Sequence, residues 1–249
     1  MQNQGSFKMD LDMVWGVIPA RGGSKSIPKK NLVELGGYPL VFHVIEAAKL
    51  SKKINRFICS TDDVPIASFV RSLGVEVHDR PKNLAEDMTP VLEVFSHLLM
   101  DIGRQEGLIA DILVILQPTS PFLRPEDVIR AVTLLKNEEQ VDSVQTITEF
   151  PHNYHAFNQR IVQEGWVSFR FPEERKKYYN KNTKPKHYMF GNLIVTRSRT
   201  ILNQNDIFGE RSKFIQIPFP YALDVDGPDD LDLAKYYLQT QKVNLPWIG

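Results

Sequence analysis

The sequence predicts an α/β fold: a mostly parallel sheet with helices on both faces and ligand-binding loops along one edge. Three observations carry that prediction. Short apolar runs of strand length recur at residues 14–18, 56–59 and 112–116, segments with apolar residues at helical spacing separate them, and each run ends in a polar loop. Strands buried on both faces read as continuous apolar runs rather than as alternation. Strands alternating with helices join through right-handed crossovers, which bring the strand C-termini to one edge. Ligands of open α/β sheets bind outside that edge.

The elements follow in order. Val14-Trp15-Gly16-Val17-Ile18 is the first strand and stops at Pro19. The polar, acidic stretch 1–13 before it reads as a loose N-terminal arm. Residues 39–50 place Leu40, Val41, Val44, Ile45 and Ala48 at helical spacing. The second strand, 56–59, runs into Ser60-Thr61-Asp62-Asp63, where Asp62 or Asp63 can cap the helix carrying Ile66, Phe69 and Val70. Gly74 ends that helix, and 75–77 is a short third strand. Residues 91–102 have a helical period. The most apolar strand, 112–116, ends in Gln117-Pro118-Thr119-Ser120-Pro121. Pro125 opens a further helix from a favoured first-turn position, and 143–147 is another strand. Residues 150–187 break the pattern: polar, aromatic and without a clear helical period, they read as an insertion of short strands and a mobile loop. Strand character resumes at 189–196, and 228–238 closes the chain as a helix.

Composition limits the possible functions. The 249 residues suit one compact domain, 14–249, with a small insertion. Thirty basic residues balance thirty acidic ones, so no overall field attracts nucleic acid. An anionic ligand must therefore be held by a local cluster. Cys59 is the only cysteine, which excludes an intrachain disulfide and favours a reducing, cytoplasmic setting. Its apolar neighbours Phe57 and Ile58 mark it as a buried thiol rather than a nucleophile. No apolar run reaches membrane-spanning length, and the chain start lacks the basic-then-apolar order of a signal peptide.

Three loops carry chemistry. The first is Ala20-Arg21-Gly22-Gly23-Ser24-Lys25-Ser26-Ile27-Pro28-Lys29-Lys30-Asn31. Tandem glycines let backbone N–H groups approach phosphate oxygens, while Arg21, Lys25 and Lys30 supply charge and Arg can grip two oxygens at once. Neither the Walker spacing nor a dinucleotide glycine turn is present. A solvated basic turn is the plain alternative, but the position directly after a buried strand favours a triphosphate cradle. The second is Asp224-Val225-Asp226, whose acids project to one side of an extended segment and suit a hard divalent cation that also binds phosphates. A turn with helix-capping acids is the alternative there, and Asp229 and Asp230 fit that role. The third, Gln117 with Thr119 and Ser120, offers neutral hydrogen bonds to a sugar or ribose. His152 and His155 lack a third ligand at zinc-like spacing. Lys181, Lys184, Lys186 and His187 form either a solvated face or a contact for a substrate carboxylate.

At these residues the chain resembles the acylneuraminate cytidylyltransferases, the CMP-sialic acid synthetase family. The resemblance rests on residues 18–31, on Ser60-Thr61-Asp62-Asp63, on Arg80-Pro81 with Asp87 and Thr89, on residues 117–121 and on Asp224-Val225-Asp226. It runs from about residue 14 to about 238. It implies a Rossmann-like three-layer nucleotidyltransferase fold and a homodimer, with the 150–187 insertion as the dimerisation and sugar-site arm. It also implies transfer of CMP from CTP to an acidic nine-carbon sugar, with Mg²⁺ or Mn²⁺ and release of pyrophosphate. Carried over by position, Arg21, Gly22, Gly23, Ser24, Lys25 and Lys30 bind phosphate. Asn31, Arg80 and Thr89 contact the nucleoside, Gln117 the sugar, and Asp224 and Asp226 the metal. Arg21, Lys25 and Asp224 are the catalytic candidates. Around the sugar the chain departs from its relatives, with Phe190-Gly191-Asn192 where many carry Asn-Gly; Asn192 is the sugar-side candidate. Legionaminic, pseudaminic and sialic acids all fit this pattern. A ketodeoxyoctonate enzyme, a non-catalytic CMP-sugar binder and a glycosyltransferase are the rival readings.

Overall fold

The protein is described by a computed structural model over residues 7–248. Its main sheet has seven strands in the order β11-β7-β10-β6-β1-β4-β5. In chain order the elements are β1 (Lys8–Pro19), a small hairpin of β2 (Glu34–Leu35) and β3 (Tyr38–Pro39), then α1 (Leu40–Leu50), β4 (Arg56–Thr61), α2 (Val64–Ser72) and β5 (Glu76–Asp79). Next come α3 (Val91–Glu106), β6 (Leu108–Ile115), α4 (Pro125–Asn137) and β7 (Ser143–Glu149). The insertion holds β8 (Arg160–Gln163), β9 (Trp166–Phe169) and α5 (Pro172–Lys177). It is followed by β10 (Tyr188–Arg197), α6 (Ser198–Gln204), β11 (Ser212–Gln216) and α7 (Pro228–Gln239). Strand β10 runs antiparallel to both its neighbours, β6 and β7; the remaining pairs of this sheet are parallel.

Alternation along β1 divides the core. Val14 and Ile18 face α1, α2 and α4, packing with residues such as Val44, Val70 and Val132. Trp15 and Val17 face the opposite side, against Phe95, Leu98 and Leu99 of α3 and Ile201 of α6. The predicted three layers are therefore present. Asp63 caps α2 through Ile66 N–H (2.8 Å), and Gly74 follows that helix with φ of 74°. Cys59 is fully buried, and burial pushes its thiol up to about 12.

The structure corrects the reading of the N-terminal stretch. Strand β1 begins at Lys8, not at Val14: Lys8, Met9 and Asp10 pair with Leu108, Ile109 and Ala110, and the register shifts between Asp10 and Val14. Phe7 lies so close to Gly103 that a Cβ there would come within 2.6 Å of its ring. Residues 1–6 of the expected arm lie outside the described residues. The insertion also differs from expectation. Beside its β8–β9 hairpin it contains the short helix α5 and a small aromatic nucleus, in which Phe157 packs against His155, Phe171, Tyr178 and His187.

The C-terminal segment closes over the β2–β3 hairpin. Trp247 Nε1 donates to His43 Nδ1 (3.0 Å), so the ring proton of neutral His43 sits on Nε2 and reaches the Leu35 carbonyl (2.9 Å). His43 is fully buried, and burial lowers its pKa to about 4 despite backbone hydrogen bonds that pull it upward. The unfolded chain binds this proton below about 6.5, the folded chain only below about 4. The contribution of neutral His43 is thus complete above pH 6.5 and lost as pH falls toward 4. Between pH 7 and pH 4.5, wild type should lose about 2 kcal/mol more stability than His43→Gln, read as urea midpoints. Equal losses would contradict this account.

Candidate active site

The C-terminal ends of β1 and β6, with Arg80 directly after β5, open into one cleft of about 640 Å³. The loop after β1 forms its floor. Gly22 sits where a Cβ would meet the Asp63 side chain at 2.7 Å, so close approach requires glycine there. Its N–H donates to Asp62 Oδ1 (2.9 Å) and is already engaged, and Gly22 is not on the cleft lining. Gly23, Ser24 and Lys25 do line the cleft, and Gly23 has open space around it. Neither of these two glycines is left-handed. The turn is instead made by Lys29, with φ of 53°, which leads into a one-turn 3-10 helix, Lys30–Leu32. Asn31 ties the loop together by donating from Nδ2 to the Arg21 carbonyl (2.9 Å).

Three cations meet acids at the cleft. Arg21 Nη1 lies 2.6 Å from Asp87 Oδ1, and Lys25 Nζ lies 2.5 Å from Asp87 Oδ2. Lys25 first, then Arg21, holds the Asp87 carboxyl below the usual carboxylate range. Lys30, whose side chain is mostly buried, lies 3.2 Å from Asp226 Oδ1. The walls carry Arg80, Thr89, Gln117 and Thr119. Thr89 Oγ1 donates to the Asn83 carbonyl (3.2 Å), and Arg80 donates from Nη2 to the Ser60 carbonyl (2.7 Å).

The Asp-Val-Asp segment docks through its middle residue. Val225 is fully buried, and its N–H donates to the Thr119 carbonyl (2.7 Å), which leaves the flanking acids outside the core. Asp224 accepts from Ser120 Oγ (3.4 Å) and from Thr119. Water still reaches Asp224, but crowding by the surrounding protein, chiefly, pushes its carboxyl up, with the Asp226 charge adding to that against the pull of Thr119, Lys30 and Ser120. Among the described residues no three His, Cys, Asp or Glu side chains converge as a metal cage. Two nearby acids of this kind fit Mg²⁺, which takes one or two carboxylates and completes its shell with phosphate oxygens and water. Asp230 has the capping role: its Oδ2 accepts from the N–H groups of Asp226 and Gly227.

Not every candidate faces the cleft. Ser120 is buried and turned toward Asp224. Asn192 is buried between strands: Nδ2 donates to the Tyr221 carbonyl (2.9 Å), Oδ1 accepts from Thr146 Oγ1 (3.0 Å), and it is absent from the lining. His155 donates from Nε2 to the Pro185 carbonyl (3.0 Å) and accepts at Nδ1 from Phe157 N–H, so it has no free nitrogen for a metal. Sequence reasoning missed Asp87 as the partner of both loop cations; its place in the Arg80-Pro81…Asp87…Thr89 pattern was the only signal. A second hollow of about 420 Å³ lies at the base of the insertion, walled by Lys181, Lys184, Lys186, His152 and His187.

A basic glycine loop after the first strand, facing a paired-acid segment across the same sheet edge, defines a nucleotidyltransferase site. The chain belongs to the cytidylyltransferase family, which matches residues 15–244. It is 30% identical to CMP-N,N'-diacetyllegionaminic acid synthase of Legionella pneumophila, over 91% of this chain and 96% of that one. It is 29% identical to N-acylneuraminate cytidylyltransferase of Escherichia coli, over 88% of this chain but only 50% of that longer protein. In fold it is similar to CMP:2-keto-3-deoxy-manno-octonic acid synthetase solved in complex with CTP, with a TM-score of 0.67 at 20% identity, covering 93% of this chain and all of that one.

If Arg21 and Lys25 take the triphosphate, Asp87 contends with it for the same two cations. Asp87→Ala should therefore tighten CTP binding about threefold, measured by calorimetry at low salt. Weaker binding would mean that Asp87 supports the nucleotide rather than competing with it.

Proposed function

We propose that this chain joins CMP from CTP to a nonulosonic acid, giving the CMP-sugar and pyrophosphate. The observation that carries this is the convergence of Arg21, Lys25 and Lys30 with Asp226 at one cleft of a cytidylyltransferase-family chain. The two curated relatives, named for a diacetyllegionaminic and a neuraminic acid, support the acid class. The anomeric hydroxyl of the sugar attacks the α-phosphorus in line; the new O–P bond forms as the bond to the β-phosphate bridging oxygen breaks. Arg21 and Lys25 stabilise the charge that develops on the phosphate oxygens and the departing pyrophosphate. Gln117 and Thr119 orient the sugar from the wall next to the phosphate loop. The hydroxyl proton is assigned to Asp224, the acid of the pair that also accepts from Ser120 Oγ. Asp224 and Asp226 would hold Mg²⁺ or Mn²⁺, which when bound offsets the triphosphate charge. The second hollow, on the same sheet edge and lined by Lys184, Lys186 and His187, suits the sugar carboxylate.

The insertion is read as the dimer arm. Its hairpin exposes Val162 (70%), Trp166 (81%) and Val167 (65%), an apolar surface of the kind that a second copy of the chain covers. The lone buried cysteine fits a cytoplasmic location, and no helix among the described residues is long and apolar enough to cross a membrane.

Pyrophosphate release on mixing CTP with a panel of acids tests the reaction. Legionaminic, pseudaminic or sialic acid should give turnover, and ketodeoxyoctonate far less; turnover with ketodeoxyoctonate alone would reverse the assignment. On the active acid, Lys25→Ala should cut kcat by roughly 10²-fold with an unchanged circular dichroism spectrum. EDTA should abolish activity until Mg²⁺ is restored. Light scattering at micromolar concentration should give a dimer, and Trp166→Asp should shift it toward monomer; a monomeric wild type with full activity would rule the arm out.

A further inference from the structure

Behind the cleft wall a chain of buried polar groups leads away from Arg80, and no step of the proposed reaction uses it. Arg80 is 8% exposed. Its Nε donates to Ser60 Oγ (3.3 Å) and its Nη2 to the Ser60 carbonyl, and the residue also lines the cleft. Ser60 Oγ lies 3.4 Å from His78 Nδ1, and His78 Nε2 lies 3.2 Å from Asp101 Oδ2. Gln105 Nε2 also donates to that oxygen (2.9 Å) and fixes the far end. Ser60 and His78 are register partners on the parallel strands β4 and β5, so the sheet itself sets their approach.

We infer that Asp101, His78 and Ser60 form a directed hydrogen-bond relay that holds the Arg80 guanidinium against the nucleotide, with neutral His78 as its positioning residue. This rests on the reading of Arg80 as a nucleotide contact. The direction follows from the donor inventory. Arg80 can only donate, so Ser60 Oγ accepts from it and sends its own proton to His78 Nδ1. That makes Nδ1 the acceptor and places the ring proton on Nε2, where the Asp101 carboxylate receives it. Every donor in the chain meets an acceptor in this one tautomer. A proton added at Nδ1 would face the Ser60 hydroxyl donor to donor. Ser60 is fully buried, so its displaced proton would lose its acceptor away from water.

The groups facing His78 are His97 and Asp101 from α3, Asp79 beside it on β5, and Arg80 through Ser60. Burial first, and His97 second, holds His78 below the ordinary histidine value, against the pull of Asp101 and Asp79. The neutral form therefore prevails at neutral pH, and the relay should fail only as the medium becomes clearly acidic.

Calorimetric binding of CTP tests the relay independently of the acid. His78→Leu, which removes the acceptor, should raise the Kd about fivefold to tenfold. His78→Asn, whose side-chain oxygen replaces Nδ1 as an acceptor, should bind within about twofold of wild type. The wild-type Kd should rise in clearly acidic medium, below the ordinary histidine range, and His78→Asn, which cannot titrate, should lack that part of the rise. If His78→Leu does not fold, Asp101→Ala on the helix surface, which removes the acceptor for His78 Nε2–H, gives the same reading, with a Kd rise of about threefold. The relay is overturned if His78→Leu binds CTP like wild type, if Asn fails to rescue, or if the two pH profiles coincide. Arg80→Lys separates the premises. A wild-type Kd there would remove Arg80 as a nucleotide contact and the relay with it. A raised Kd there beside unchanged His78 variants would overturn the relay alone.

Discussion

In the sheet, Pro19 lies beside Ser60, and Val17 lies beside both Ile58 and Ile115. Everything in the cleft depends on that parallel register. Because β6, β1 and β4 run side by side in one direction, the loops at 20–31, 62–63 and 117–121 leave the sheet at one edge. Contacts between residues far apart in sequence then become short and specific. Asp62 receives the Gly22 N–H, and Thr119 receives the Val225 N–H. A one-residue slip in any pair would move alternate residues to the opposite face and dismantle the phosphate loop and the acid pair together.

Charge is handled locally throughout. The chain carries no net charge, yet the cleft gathers Arg21, Lys25, Lys30 and Arg80, three of them paired with or facing a carboxylate. Away from the cleft the same economy holds. Arg197, buried beneath the sheet, donates to Asp111 and to the Leu135 and Val141 carbonyls, so its guanidinium is satisfied without water. Arg56 bridges Glu76 and Glu106 at the opposite end of β4 from the cleft.

The central strands were legible because burial on both faces writes an unbroken apolar run, as at 112–116. The cleft loops were legible because cations, glycines and paired acids directly followed such runs. Other features depend on partners that a single sequence does not display. Lys8 to Met13 has no fully buried side chain and no in–out alternation, and becomes strand through the pairing of Lys8, Met9 and Asp10 with residues 108–110. Strand β11 buries just Ile215, too little for an apolar signal. The 150–187 segment reads in sequence as short strands and a mobile loop, without its helix or nucleus, because that nucleus is built from dispersed aromatics, among which Phe157 is the buried centre. The side chains of Asn192 and Ser120 have the chemistry to contact a sugar, yet the fold spends Asn192 on Tyr221 and Thr146 and turns Ser120 toward Asp224. Polar side chains of this kind differ in role by which way they point, a tertiary property.

The buried thiol has a practical consequence. Cys59 is inaccessible, and its thiolate form is strongly disfavoured at ordinary pH, so alkylating dyes and spin labels will pass it by in the folded protein. A single engineered cysteine at an exposed site away from the β8–β9 hairpin, such as Tyr179→Cys in the insertion, can then be labelled selectively without first replacing the native one. The insertion thereby becomes open to distance measurements between copies of the chain in solution, with the sheet left chemically untouched.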